Sequence, residues 1–120
     1  MEEKDRNRLN EIEDELRNIS QEREKLRDMK RDVRDKEDNF DMLDEMTLKL
    51  CNEIEETWAY NNGLNENDPI FNEQRNLISK GIRDRYSFLH DEFGHLDRRL
   101  SQLDNQEEEL NKEKRRINNI

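Results

Sequence analysis

Residues 60–71 read YNNGLNENDPIF and contain the only proline of the chain, Pro69, and one of its three glycines, Gly63. Long stretches of charged, helix-favouring sequence lie on both sides. Gly63 suits the left-handed position that closes a helix. Asp68 suits an N-cap, and Pro69 suits the first helical position, where a missing amide is tolerated. The stretch therefore predicts that one helix ends and a second begins here.

The connection predicted at this stretch is short, so the two helices should be antiparallel neighbours. We expect helix 1 at about residues 4–62, a hairpin turn at about 63–68 and helix 2 at about 69–118. The chain, residues 1–120, is then a single helical-hairpin domain.

Apolar residues recur every seven positions on both sides of the turn. The first series is Ile12, Ile19, Leu26, Val33, Phe40, Thr47 and Ile54, and the second is Ile82, Leu89, Leu96, Leu103, Leu110 and Ile117. This repeat is typical of a coiled-coil seam. We predict an all-α fold, a long antiparallel two-helix hairpin of coiled-coil type.

Further residues extend this seam. In the first arm they are Leu9, Leu16, Met29, Leu43, Leu50 and Trp58, and in the second arm they are Tyr86, Phe93, Leu100, Glu107 and Lys114. Facing residues are expected to have numbers that add up to about 129, as Ile12 and Ile117 do. In this register the basic residues near Lys114 face the acidic residues near Glu13.

Apolar residues are concentrated near the turn, with eight in residues 1–39 and eleven in residues 40–60. One seam cannot bury all of them. Local sheltering within the hairpin is one explanation, and a second interface with another helical pair is the other. The candidate interface residues are Phe40, Met42, Met46, Trp58, Leu77 and Phe88.

The composition limits the class of protein. Of the 120 residues 29% are hydrophobic and 45% are charged, with a net charge of −10, so a thick core is not expected. No apolar run is long enough to cross a bilayer, and we expect no membrane insertion. The N-terminus has no apolar segment of the signal-peptide type, so we expect a cytoplasmic protein. Export without a cleaved signal stays open.

The usual chemical motifs are missing from the sequence. His90 and His95 are five residues apart, a spacing that does not place two metal ligands on one helix face. Cys51 has no histidine close by in the sequence, so a buried, unreactive thiol is expected. Residues 37–60 contain eight acidic residues and one basic residue, Lys49, which disfavours nucleic-acid binding. We expect no catalytic, cofactor or metal site and no enzymatic activity.

A helical hairpin with Trp58 and Gly63 at its turn resembles the small WXG-type hairpins of bacterial type VII secretion. It is most similar to the accessory proteins that accompany LXG toxins in the type VIIb systems of Gram-positive bacteria. The turn reads WAYNNG, so the glycine follows the tryptophan by five residues, whereas the family pattern has two. The resemblance implies a targeting factor that binds the helical N-terminal domain of a toxin, together with a second small WXG-like protein, and supports its export.

The family's export signals include an aromatic residue followed four positions later by an acid, and Phe40 and Asp44 match that spacing. With 32 acidic residues in the chain, such a match also arises by chance. The alternative function is a self-associating coiled-coil scaffold or tether. A regulatory or chaperone-like hairpin for another protein is a third hypothesis.

Overall fold

The computed structural model describes residues 2–62 and 69–119. They form two helices, α1 at Glu3–Asn62 and α2 at Pro69–Asn118, and no strand occurs in these two ranges. The helices are antiparallel, which confirms the predicted all-α hairpin. Pro69 is the first residue of α2, as expected, while Gly63 and Asp68 lie outside the described residues.

The chain divides into two compact units, each containing a segment of both helices. The terminal unit comprises Met1–Asp32 and Phe93–Ile120, and the central unit comprises Val33–Glu92. The expectation of one domain over residues 1–120 stays a prediction.

The terminal unit has the apolar core that the heptads predict. Ile12 and Leu103 have 0% of their surface exposed, and Ile19 and Leu96 are buried as well. Leu26, Leu110 and Ile117 are half-buried. Burial of these residues removes apolar surface from water, which is the main stabilising contribution in a thin helical pair.

Ion pairs between the helices border this core and show the antiparallel direction. Glu13 pairs with Lys114, Glu22 with Arg99 and Lys30 with Asp97, so partner numbers fall as α1 numbers rise. The pairing of Lys114 with Glu13 confirms the charge complementarity expected there.

Two arginines of the terminal unit each donate hydrogen bonds to both oxygens of one glutamate carboxylate. Arg99 Nε and Nη2 donate to Glu22 at 2.7 and 2.9 Å, and Arg8 Nε and Nη2 donate to Glu113 at 2.7 and 2.8 Å. Hydrogen bonding to its arginine lowers the pKa of the Glu22 carboxyl, and the same effect lowers the pKa of Glu113. These bidentate contacts fix the alignment of the two helices in this unit.

The central unit has a different interior. Val33, Phe71 and Leu89 are buried, but so are the acidic residues Asp44 and Glu55, with only 7% and 6% of their surface exposed. Arg85 of α2 pairs with Asp44, and Arg75 pairs with Glu55. Burial of a carboxylate is tolerated because each has a cationic partner on the other helix.

Part of the predicted seam is wrong in the central unit. Thr47 and Ile54 of the heptad series are exposed, and so are the predicted companions Leu43, Leu50 and Trp58. Met29 of the terminal unit and Tyr86 of α2 are also exposed. The side of α1 that faces α2 here contains Asp44, Cys51 and Glu55, which lie about 100° around the helix from Leu43, Leu50 and Ile54. Ion pairing with α2 therefore decides which face of α1 is turned inward.

Candidate docking face of the central unit

Large apolar side chains at the surface belong almost entirely to one unit. Among the described residues, thirteen such side chains are exposed, and all except Met29 lie in the central unit. In the terminal unit the apolar residues of the heptads are buried or half-buried instead. An exposed apolar surface of this extent usually marks an interaction site.

The exposed residues of α1 form one stripe. Leu43, Met46, Leu50, Ile54 and Trp58 follow one another at spacings of three and four residues, which places them on one face of a helix. Two shallow grooves run along this stripe, one beside Leu43, Met46 and Leu50 and the other beside Leu50, Ile54 and Trp58. The stripe has the spacing of a coiled-coil seam, but α2 does not cover it.

A second stripe lies on α2 and contains Ile70, Leu77 and Phe88, all about 60% exposed. In both helices the stripe is turned by about 100°, in the same rotational sense, from the side that faces the other helix. Because the helices are antiparallel, the two stripes lie on the same side of the central unit. Together they form the docking face: Leu43, Met46, Leu50, Ile54, Trp58, Ile70, Leu77 and Phe88.

Most, but not all, of the predicted interface residues lie on the docking face. Met46, Trp58, Leu77 and Phe88 lie on the docking face, and each has more than half of its surface exposed. Met42 is 55% exposed and lies one turn before Met46 but about 100° from Leu43, farther from α2 than the rest of the α1 stripe. These positions fit an interface, whose existence stays a prediction.

Phe40 and Asp44 are held inside the hairpin rather than on this face. Phe40 is half-buried, and the guanidinium carbon of Arg85 lies 5.8 Å from the centre of its ring. The same Arg85 pairs with the buried Asp44, whose second oxygen, Oδ2, finds no hydrogen-bond partner among the described residues. Recognition of these two residues as an export-like signal would require this contact to open.

Sequence reasoning assigned Leu43, Leu50 and Ile54 to the seam between the helices, and therefore missed them as surface residues. The sequence of the first arm contains a pattern that indicates this alternative. Residues 44 and 51 continue the seven-residue series of Leu9 and Leu16, so two neighbouring stripes compete for the inner side. Only one of them can face α2.

The described residues also bear on the expectations for metal ligands, membrane spans and the two histidines. No group of three or more His, Cys, Asp or Glu residues that could bind a metal occurs in the part of the chain that is described. Within the same residues, neither helix includes a segment apolar enough to cross a membrane. His90 is exposed, and His95 Nδ1 lies 2.9 Å from Arg98 Nη2.

Comparison with protein-family models, with curated proteins and with solved structures found no match to this chain.

Proposed function

We propose that this chain is a non-catalytic helical interaction module that binds another helical protein through the docking face. One observation carries the proposal: in the central unit, α1 turns two carboxylates toward α2 and an apolar heptad stripe toward solvent. A helix that is apolar on a face its own partner leaves open is expected to be covered by something else.

The apolar side chains of this face contribute to binding, but their contribution is comparable to the cost of association. Each of its eight side chains is about half exposed, so covering one would contribute about 1 kcal/mol. The total, roughly 8 kcal/mol, falls within the range that association itself costs. The apolar stripes alone would support weak binding, and polar contacts would be needed for tight binding.

The identity of the partner is proposed from the resemblance to WXG-type hairpins. On that basis the partner is the helical N-terminal domain of an LXG-type toxin, and the hairpin serves as its targeting factor in type VIIb secretion. The alternative, a self-associating scaffold or tether, would cover the same docking face with a second copy of the chain.

Replacement of Leu50 and Ile54 together by serine tests the use of this face. Binding to the purified helical N-terminal domain of an LXG-type toxin should weaken at least about tenfold, with helicity by circular dichroism unchanged. Met29→Ser is the matched control, because Met29 is a similarly exposed apolar residue of the terminal unit. Equal binding by both variants and the unmodified chain would contradict the proposal.

A further inference from the structure

The negative charge of the chain is concentrated in the unit that has the docking face. Residues 33–92 contain 15 acidic and 7 basic residues, a net charge of −8. Residues 1–32 and 93–120 contain 17 acidic and 15 basic residues, a net charge of −2. Most of the net charge of −10 therefore belongs to the central unit.

The two units also differ in how their carboxylates are used. In the terminal unit most acidic residues form ion pairs within the described chain, for example Glu22 with Arg99 and Asp104 with Arg23. In the central unit the described ion pairs involve only Asp44 and Glu55. Asp41 accepts a hydrogen bond from the Tyr86 hydroxyl, and the other exposed carboxylates described in this unit are available to a partner.

Several of these available carboxylates lie at the docking face. Glu53 lines both grooves of the α1 stripe, and Lys49 lines one of them as well. On α2, Glu73, Asp84 and Asp91 are exposed and lie within about 40° of Leu77 around the helix. Two basic residues, Lys80 and Arg83, line the groove beside Leu77. Around the apolar stripes the acidic groups Glu53, Glu73, Asp84 and Asp91 thus slightly outnumber the basic groups Lys49, Lys80 and Arg83.

We propose that the occupant of the docking face is an amphipathic helix of a different protein, with Lys and Arg residues bordering its apolar side. This inference rests on the proposed function and adds the chemistry of the partner. A second copy would place another central unit of net charge −8 against the first, and the repulsion would oppose association. A basic partner would instead pair with exposed carboxylates of the docking face such as Glu53 and Glu73, and the attraction would direct the encounter.

Three synthetic peptides test the inference against the full chain. The first is an amphipathic helix with a leucine heptad stripe bordered by lysines, the second has glutamates in place of the lysines, and the third is a scrambled form of the first. Titration calorimetry at about 0.1 M salt should show the lysine-bordered peptide binding at least about thirtyfold more tightly than either of the others.

Variants of the chain locate the binding. Leu50→Ser with Ile54→Ser should abolish binding of the lysine-bordered peptide. Glu53→Gln, Glu73→Gln and Asp84→Asn together should weaken it about tenfold and reduce its dependence on salt. Glu24→Gln with Asp32→Asn is the matched control, because these exposed acids of the terminal unit form no ion pair in the described chain and lie outside the docking face. The control should bind as the unmodified chain does.

Each contrary result has a separate meaning. Equal binding of the lysine-bordered and glutamate-bordered peptides, lost in the Leu50 and Ile54 variant, would overturn the inference and keep the docking face. A concentration-dependent dimer by sedimentation equilibrium, lost in that variant, would identify a second copy as the occupant and also overturn the inference. Equal binding of the scrambled peptide would show that charge attraction alone accounts for binding, and would overturn the inference. A monomer that binds none of the peptides would overturn the inference and weaken the proposed function with it.

Discussion

The terminal and central units use the same two helices in opposite ways. The terminal unit buries Ile12, Ile19, Leu96 and Leu103 and pairs its charges along the borders of that core. The central unit instead places carboxylates on the inner side of α1 and leaves an apolar stripe at the surface. The difference teaches that a heptad repeat predicts which residues need to be covered, while the charges beside it decide whether the neighbouring helix or another molecule covers them.

Two matched leucine substitutions, one in each unit, should show the largest difference in the free energy of unfolding. Leu103→Ala in the terminal unit removes a fully buried side chain and should lower the free energy of unfolding by about 3 kcal/mol. Leu50→Ala in the central unit removes a side chain that is 56% exposed and should lower it by less than about 0.5 kcal/mol. Urea unfolding of the isolated chain, followed by circular dichroism, measures both. Equal losses would show that Leu50 is covered within the hairpin.

The buried ion pair of the central unit should show the next largest effect. Arg85→Met leaves the Asp44 carboxylate buried without its cation and should cost about 1 to 2 kcal/mol, since Arg85 itself is partly exposed. Adding Asp44→Leu should restore or exceed the original stability, because an apolar pair of similar size needs no desolvation of charge. A double-mutant cycle from thermal or urea unfolding measures this coupling. Additive losses in the double variant would indicate that the pair does not determine the packing.

The smallest effect is the acid dependence that arises from the terminal unit. Arginine hydrogen bonds lower the pKa of Glu22 and of Glu113 in the folded chain. Their contribution to stability is therefore present above the ordinary glutamate pKa and is lost as the pH falls through the lowered value. Replacement of both by glutamine should reduce the decline of the melting temperature between about pH 5 and pH 3. Glu24→Gln is the control, and an unchanged acid slope in the double variant would contradict this assignment.

The helices and their direction could be predicted because the information for them is local or periodic. Pro69 marks the start of α2, and within the terminal unit the seven-residue series of Ile12 and of Leu103 is buried or half-buried as expected. The ion pair of Glu13 with Lys114 also follows from the expected register. These features depend on helix geometry and on one repeated spacing, and both can be read from the residues in order.

The inner side of the central unit could not be predicted in the same way. The sequence gives no sign that Asp44 and Glu55 are buried, since carboxylates are rarely buried without a partner. Their partners, Arg85 and Arg75, lie far along the sequence on the other helix, so the pairing becomes visible only once the helices are aligned. The exposure of Leu50 follows from that pairing.

Trp58 gives the chain a spectroscopic property that follows from its position. It is the only tryptophan, it lies on the docking face beside Ile54, and about half of its surface, 52%, is open to solvent. Indole emission shifts to shorter wavelength when water is removed from the ring, so ultraviolet fluorescence of the unlabelled protein reports on the hydration of this face alone.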